Sequence, residues 1–109
     1  MWRCRDCGLV WDGESAPSEC PKCNAKEGRF ARLEPGVADQ IERARFTNGL
    51  LMQLYLLLEQ VMDVAEDGVD EDLDRACVAI FEEAMLVAEP LQQAIKAEME
   101  AHVQQRKWG

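Results

Sequence analysis

A chain of 109 residues with 48% apolar and 30% charged residues is too rich in apolar groups for wholesale disorder and long enough for one domain, or for a small module joined to a second piece. Its net charge of −9 is unevenly spread: residues 1–34 carry six Lys/Arg and six Asp/Glu, and residues 35–109 carry six and fifteen. So acidic a body argues against nucleic acid and against anionic membrane surfaces as partners.

The longest purely apolar run, Ala76 to Phe81, is six residues, far short of a membrane span. No secretory signal is visible ahead of the first cysteine, so a cytoplasmic location is expected. In chain order, the first feature is a set of four cysteines, Cys4, Cys7, Cys20 and Cys23, spaced C-x2-C, twelve residues, C-x2-C. Each pair places two thiolates on one tight turn, and two such turns can face each other across one metal ion. Four soft sulfurs in a tetrahedron suit zinc or iron. In a cytosolic chain this pattern reads as a metal site; two disulfides in a secreted mini-domain are the alternative.

The residues between the cysteines read as short strands and turns. Gly8 follows the second ligand, where a positive φ lets backbone N–H groups turn toward sulfur. Asn24 holds the matching place after Cys23, and Asn tolerates the left-handed region better than most residues. Leu9, Val10 and Trp11 form a β segment, and Asp12-Gly13 signals a turn. The expected core is small: Trp2, Leu9, Val10, Trp11, Phe30 and Leu33. So small a core needs the metal as part of its folding energy.

The run Trp2-Arg-Cys-Arg-Asp-Cys-Gly-Leu-Val, then Gly13, Ala16-Pro17, Cys20-Pro21-x-Cys23, Lys26, Phe30 and Leu33, resembles the rubredoxin-like domain of rubrerythrins. The resemblance covers about a third of the chain. It departs from the family pattern at Leu9, where Tyr is common, and at Asn24, where Gly is frequent. It implies that Cys4, Cys7, Cys20 and Cys23 hold one iron that cycles between ferric and ferrous states. In rubrerythrins this domain usually follows a ferritin-like four-helix domain; here it comes first, before a segment half as long.

Glu34-Pro35-Gly36 marks a boundary, giving a metal module at 1–34 and a helical region at 35–109. From there Val37, Ile41, Ala44, Asn48, Leu51, Tyr55, Leu58 and Met62 recur at helical steps. A second apolar row, Phe46, Leu50, Leu54, Leu57, Val61 and Val64, lies beside the first. Gly49 weakens this helix by about 1 kcal/mol relative to Ala and is expected to mark a kink or a close helix approach. Asp67-Gly68 is the expected end of the first helix, with Asp70 or Asp72 capping the next. The second helix carries Leu73, Cys77, Ile80, Phe81, Ala84, Met85, Ala88, Leu91, Ile95, Met99 and Val103, with Pro90 as an expected kink. Cys77 reads as a buried small hydrophobe. Two helices of about 30 residues form a hairpin, roughly 45 Å long. A hairpin cannot bury two wide apolar faces, so a homodimeric four-helix bundle is expected.

A di-iron site in such a bundle needs carboxylates from all four helices and two Glu-x-x-His motifs. No Glu-x-x-His occurs, and Met99 stands three residues before the single histidine, His102. Glu98 and His102 lie one turn apart, and Glu59, Asp63, Glu82, Glu83 and Glu89 are other carboxylates a dimer can bring near. Acidic residues on long helices are usually a solvated face, and His102 reads as exposed or bound to the helix dipole.

The sequence therefore supports three readings. The first is a rubredoxin-type Fe(Cys)4 one-electron carrier serving a redox partner protein, with no catalytic residues of its own. The second is a structural zinc ribbon on a helical dimer, acting as an adaptor, since the same cysteines hold zinc equally well. The third is a rubrerythrin-like oxidoreductase with a non-standard bundle metal site.

Overall fold

The structure is a computed structural model describing residues 1–109. A three-stranded antiparallel sheet at the N-terminus is followed by two long helices that form a hairpin. The strands are β1 (Trp2–Cys4), β2 (Val10–Trp11) and β3 (Phe30–Arg32), in the order β2-β1-β3. Central β1 pairs Trp2 with Trp11 on one side and with Arg32 on the other. The helices are α1 (Pro35–Glu71) and α2 (Arg75–Gln104). Neither is long and apolar enough to cross a membrane. The chain forms two compact units, one of residues 1–45 with 106–109 and one of residues 46–105.

In the first unit, Cys4, Cys20 and Phe30 are buried, with Trp2, Cys7, Leu9, Ala16 and Ala25 packed around them. The expected core is therefore corrected. Trp11 is exposed, and Val10 and Leu33 lie outside this cluster. Strand alternation accounts for Val10 and Leu33, which fall on the Arg3 side of the sheet, away from Trp2 and Cys4; Trp11 pairs with Trp2 and shares its side, but stands on the edge strand β2. Val10 instead meets Gly109, which also lies against the fully buried Ile41. Arg45 fixes this corner, donating to the Gly109 carbonyl at 2.9 Å and to both oxygens of Asp12 at 2.9 and 3.1 Å.

The second unit is the hairpin proper. Leu58, Ala88 and Ile95 are buried, with Leu51, Tyr55, Met62 and Met99 against them. These belong to the first apolar row of α1 and to the α2 row. The second row of α1 lies open: Phe46 is 76% exposed, Leu57 55% and Val64 64%. On α2, Ile80, Leu91 and Val103 are exposed as well.

Three local expectations are corrected. Helix α1 does not stop at Gly68 but runs to Glu71, because Gly68 lets the Phe81 ring of α2 lie directly on its backbone. The chain leaves the helix at Asp72, whose φ of 49° is left-handed. The cap of α2 is Asp74, not Asp70 or Asp72: its Oδ1 accepts from the Cys77 N–H at 2.7 Å. Gly49 marks no close approach, since nothing stands within 4 Å of where a Cβ would be. Helix α2 continues through Pro90.

Candidate metal centre

Two equivalent knuckles build the site. In the first, the Gly8 N–H donates to the Cys4 carbonyl at 2.9 Å, and the Cys4 N–H to the Leu9 carbonyl at 2.9 Å. In the second, Asn24 donates to the Cys20 carbonyl at 2.9 Å, and Cys20 to the Ala25 carbonyl at 2.7 Å. Gly8 and Asn24 close these turns at φ of 79° and 63°, the left-handed conformation expected of both. A salt bridge between Arg29 and Asp6 pins the first knuckle to the short 3-10 turn Glu27–Arg29, and Lys26 pairs with Glu19 beside the second.

The four sulfurs converge. All lie within 4.8 Å of one another. Cys4 Sγ stands 3.6 Å from Cys23 Sγ, and Cys7 Sγ stands 3.7 Å from Cys20 Sγ. Both pairs cross from one knuckle to the other. A disulfide requires about 2.05 Å, so these are four free thiols rather than two bridges. A tetrahedron with metal–sulfur distances of about 2.3 Å has edges of about 3.8 Å, and the two crossing distances match it. The donor set thus fits a tetrahedral thiophilic ion.

The electrostatics point the same way. Burial opposes ionisation of Cys20, but the N–H groups of Cys23 and Lys22 and the thiols of Cys7 and Cys23 outweigh it and bring its pKa down to about 7. At Cys23 the Ala25 N–H favours the thiolate, yet desolvation and the sulfurs of Cys7, Cys4 and Cys20 push the thiol up to about 12. Four sulfurs this close cannot all ionise without a cation among them. The N–H···S contacts are those that stabilise a negatively charged metal–thiolate centre. Cys4 and Cys20 are buried, Cys7 is half-buried and Cys23 is exposed, so one edge of the centre faces solvent.

Residues 2–31 match the family model described as rubrerythrin, rubredoxin-like domain. This module is a rubrerythrin-type rubredoxin-like domain. Over 30 residues the chain is 48% identical to a rubrerythrin of Clostridium perfringens, an alignment covering 28% of this chain and 15% of that protein. It is also 26% identical to reverse rubrerythrin-1 of Clostridium acetobutylicum over 126 aligned positions, covering 96% of this chain and 69% of the relative. No solved structure gives a significant match.

In the hairpin, Glu98 and His102 do share a face: His102 Nε2 lies 3.0 Å from Glu98 Oε1. His102 itself is not exposed, as expected from its position, but buried, with Nδ1 2.5 Å from Asn48 Oδ1. Asn48 sits on the apolar row of α1, and that position was the available signal for a polar pair inside the hairpin. A second polar contact joins Gln92 to Glu59 at 2.8 Å and to the Tyr55 carbonyl at 3.3 Å. Asp63, Glu82, Glu83 and Glu89 are exposed. The four cysteines are the one place in the chain where three or more metal-ligating side chains converge. Cys77 is half-buried rather than buried, and the Asp74 carboxylate beside it raises its thiol above the usual range.

Proposed function

We propose that the chain is a one-electron carrier with a rubredoxin-type iron centre. The observation that carries this reading is the convergence of Cys4, Cys7, Cys20 and Cys23 at tetrahedral spacing within a rubrerythrin-type domain. One iron per chain, held by these sulfurs, supplies a ferric–ferrous couple. The protein's part is to hold four thiolates, stabilise them by N–H···S bonds and limit water access. Electrons cross at the edge formed by Cys7 and Cys23, where sulfur lies nearest solvent. A redox partner protein with a basic surface suits the acidic helices.

The chain acts in this reading as a homodimer. The support is the open second row of α1, at Phe46, Leu50, Leu54, Leu57, Val61 and Val64. So long an apolar stripe is unusual on a lone soluble chain. Leu57→Glu and Val61→Glu should shift the sedimentation coefficient from that of a dimer to that of a 12.3 kDa monomer. A wild-type chain that sediments as a monomer removes this part of the reading.

The second reading is a structural zinc ribbon serving as an adaptor, favoured by the same four sulfurs, which hold zinc equally well. A visible absorption spectrum with metal analysis, on protein made in iron-replete cells, separates the two. One iron per chain, coloured and bleached by dithionite, supports electron transfer. A colourless protein with one zinc under those conditions supports the adaptor.

A further inference from the structure

Residues 106–109 follow α2 in the chain but pack as part of the unit that holds the metal module. Arg106 takes the chain out of the helix through a left-handed φ of 60°, as Asp72 does at the end of α1. Beyond it the tail seats on three elements at once. The Arg3 guanidinium of β1 donates to the Trp108 carbonyl at 3.4 Å. The Arg45 Nε of α1 donates to the Gly109 carbonyl at 2.9 Å. Val10 of β2 and Ile41 of α1 close on Gly109, where an added Cβ would stand 2.6 Å from Val10 Cγ2 and 3.1 Å from Ile41 Cγ2.

The two walls of this seat differ in what holds them. Ile41 and Arg45 belong to α1, a long helix that makes its own backbone hydrogen bonds. Arg3 and Val10 are register partners on β1 and β2, the two strands that the first knuckle joins. Arg3 adjoins Cys4, and Val10 stands three residues after Cys7. The interior behind those strands is Cys4, Cys20 and Phe30, so without an ion among the sulfurs little apolar contact fixes them. The grip of Arg45 on the module goes through Asp12, one residue past β2, and so depends on the same strands.

We propose that residues 106–109 are a strap that closes on β1 and β2 when the four-cysteine site is occupied and opens when it is empty. An ion among the sulfurs orders the strand wall, and the seated tail in turn favours the strand arrangement that holds the ion, because such coupling is reciprocal. The state of the metal centre is thereby converted into the state of a segment at the other end of the sequence. Either iron or zinc serves, so the strap is independent of the electron-carrier reading.

Backbone NMR relaxation of the full chain, with and without Zn2+ as the probe ion, reads the strap directly. The Trp108 amide should have an order parameter of about 0.85 in the loaded chain, as in rigid backbone, and below about 0.6 in the empty one. The reciprocal arm is Zn2+ affinity, measured by competition with a chromogenic chelator. Gly109→Val blocks the seat, and deletion of Trp108 and Gly109 removes the strap without any clash. Each should weaken Zn2+ binding at least about fivefold, the lower end of usual coupling between sites. Circular dichroism checks that both variants keep their helices. A tail equally ordered, or equally mobile, with and without Zn2+ overturns the proposal, as does wild-type affinity in both variants.

Discussion

Within the metal module, the enclosed side chains are Cys4, Cys20 and Phe30, two of which are metal ligands. Within the hairpin the buried apolar cluster is Leu58, Ala88 and Ile95, and none of the four cysteine ligands is among them. The module's interior is thus organised around sulfur, with knuckle hydrogen bonds and surface ion pairs doing the positioning. The hairpin's interior is apolar packing along one stripe of each helix, with the buried Asn48–His102 and Gln92–Glu59 contacts set into it. A region built around a coordination site should depend on the ion all or none. A region built on packing should respond to volume, one side chain at a time.

The largest expected effect is therefore metal removal. Structural thiolate sites contribute of order 10 kcal/mol to folding at neutral pH. Chelation, or Cys20→Ser, should collapse the dispersed amide resonances of residues 2–33, while the hairpin keeps its helical ellipticity. Loss of both signals together would erase the distinction between the regions. Affinity for the metal should also fall with pH, and the direction follows from the thiols. Cys23, pushed up to about 12, must release its proton on binding at any ordinary pH. Cys20, near 7, is already ionised above neutrality and releases a further proton below it. The pH dependence should steepen as pH falls through about 7, measured by competition with a chromogenic chelator.

Next in size is a pair of glycines on α1 with opposite expected signs. A Cβ at Gly68 would run into the Phe81 ring near its root, and that ring cannot swing clear as a flexible chain end would. Gly68→Ala should cost roughly 1–3 kcal/mol, overpacking outweighing the gain in helix propensity. Gly49 meets nothing within 4 Å, so Gly49→Ala should stabilise by up to about 1 kcal/mol. Urea denaturation of the two variants measures both. Equal signs would mean that the Gly68–Phe81 contact does not set the hairpin's packing.

These glycines also show what a sequence can and cannot reveal. Cysteine spacing, Gly8 and Asn24 made the metal module legible, because coordination and left-handed turns impose local residue requirements. The first apolar row of α1 was legible for the same reason: helical period is local. The end of α1 was not. Asp67-Gly68 has the form of a stop signal, but the reason for that glycine lies across the hairpin, in the Phe81 ring. His102 followed the same pattern. Its place near a helix end suggested exposure, and only the packing of the two helices brings it against Asn48. Of its two polar contacts, the Asn48 side is buried and the Glu98 carboxylate is 57% exposed. Asn48→Ala should thus cost roughly 1–3 kcal/mol by leaving buried His102 Nδ1 without that partner. Glu98→Gln should cost well under about 1 kcal/mol. Thermal unfolding of the metal-loaded variants ranks them.

The smallest effect concerns the fifth cysteine, which sharpens the contrast between thiols in the two regions. Cys77 stands in the first turn of α2, where a helix N-terminus ordinarily favours a thiolate. Asp74 reverses that expectation. Its carboxylate takes the Cys77 N–H and also accepts from the thiol, and that S–H hydrogen bond, with the negative charge, raises the thiol above its usual range. The carboxylate itself is lowered, chiefly by the same Cys77 N–H. Asp74→Asn removes the charge but leaves a side chain that caps helices equally well, so stability should change by only a few tenths of a kcal/mol. The Cys77 thiol should then ionise more readily. Iodoacetamide should label it faster at pH 8 in the variant than in the wild type, with the four module cysteines protected by metal. Equal rates would show that access to the half-buried sulfur, rather than the charge at the cap, governs its reactivity.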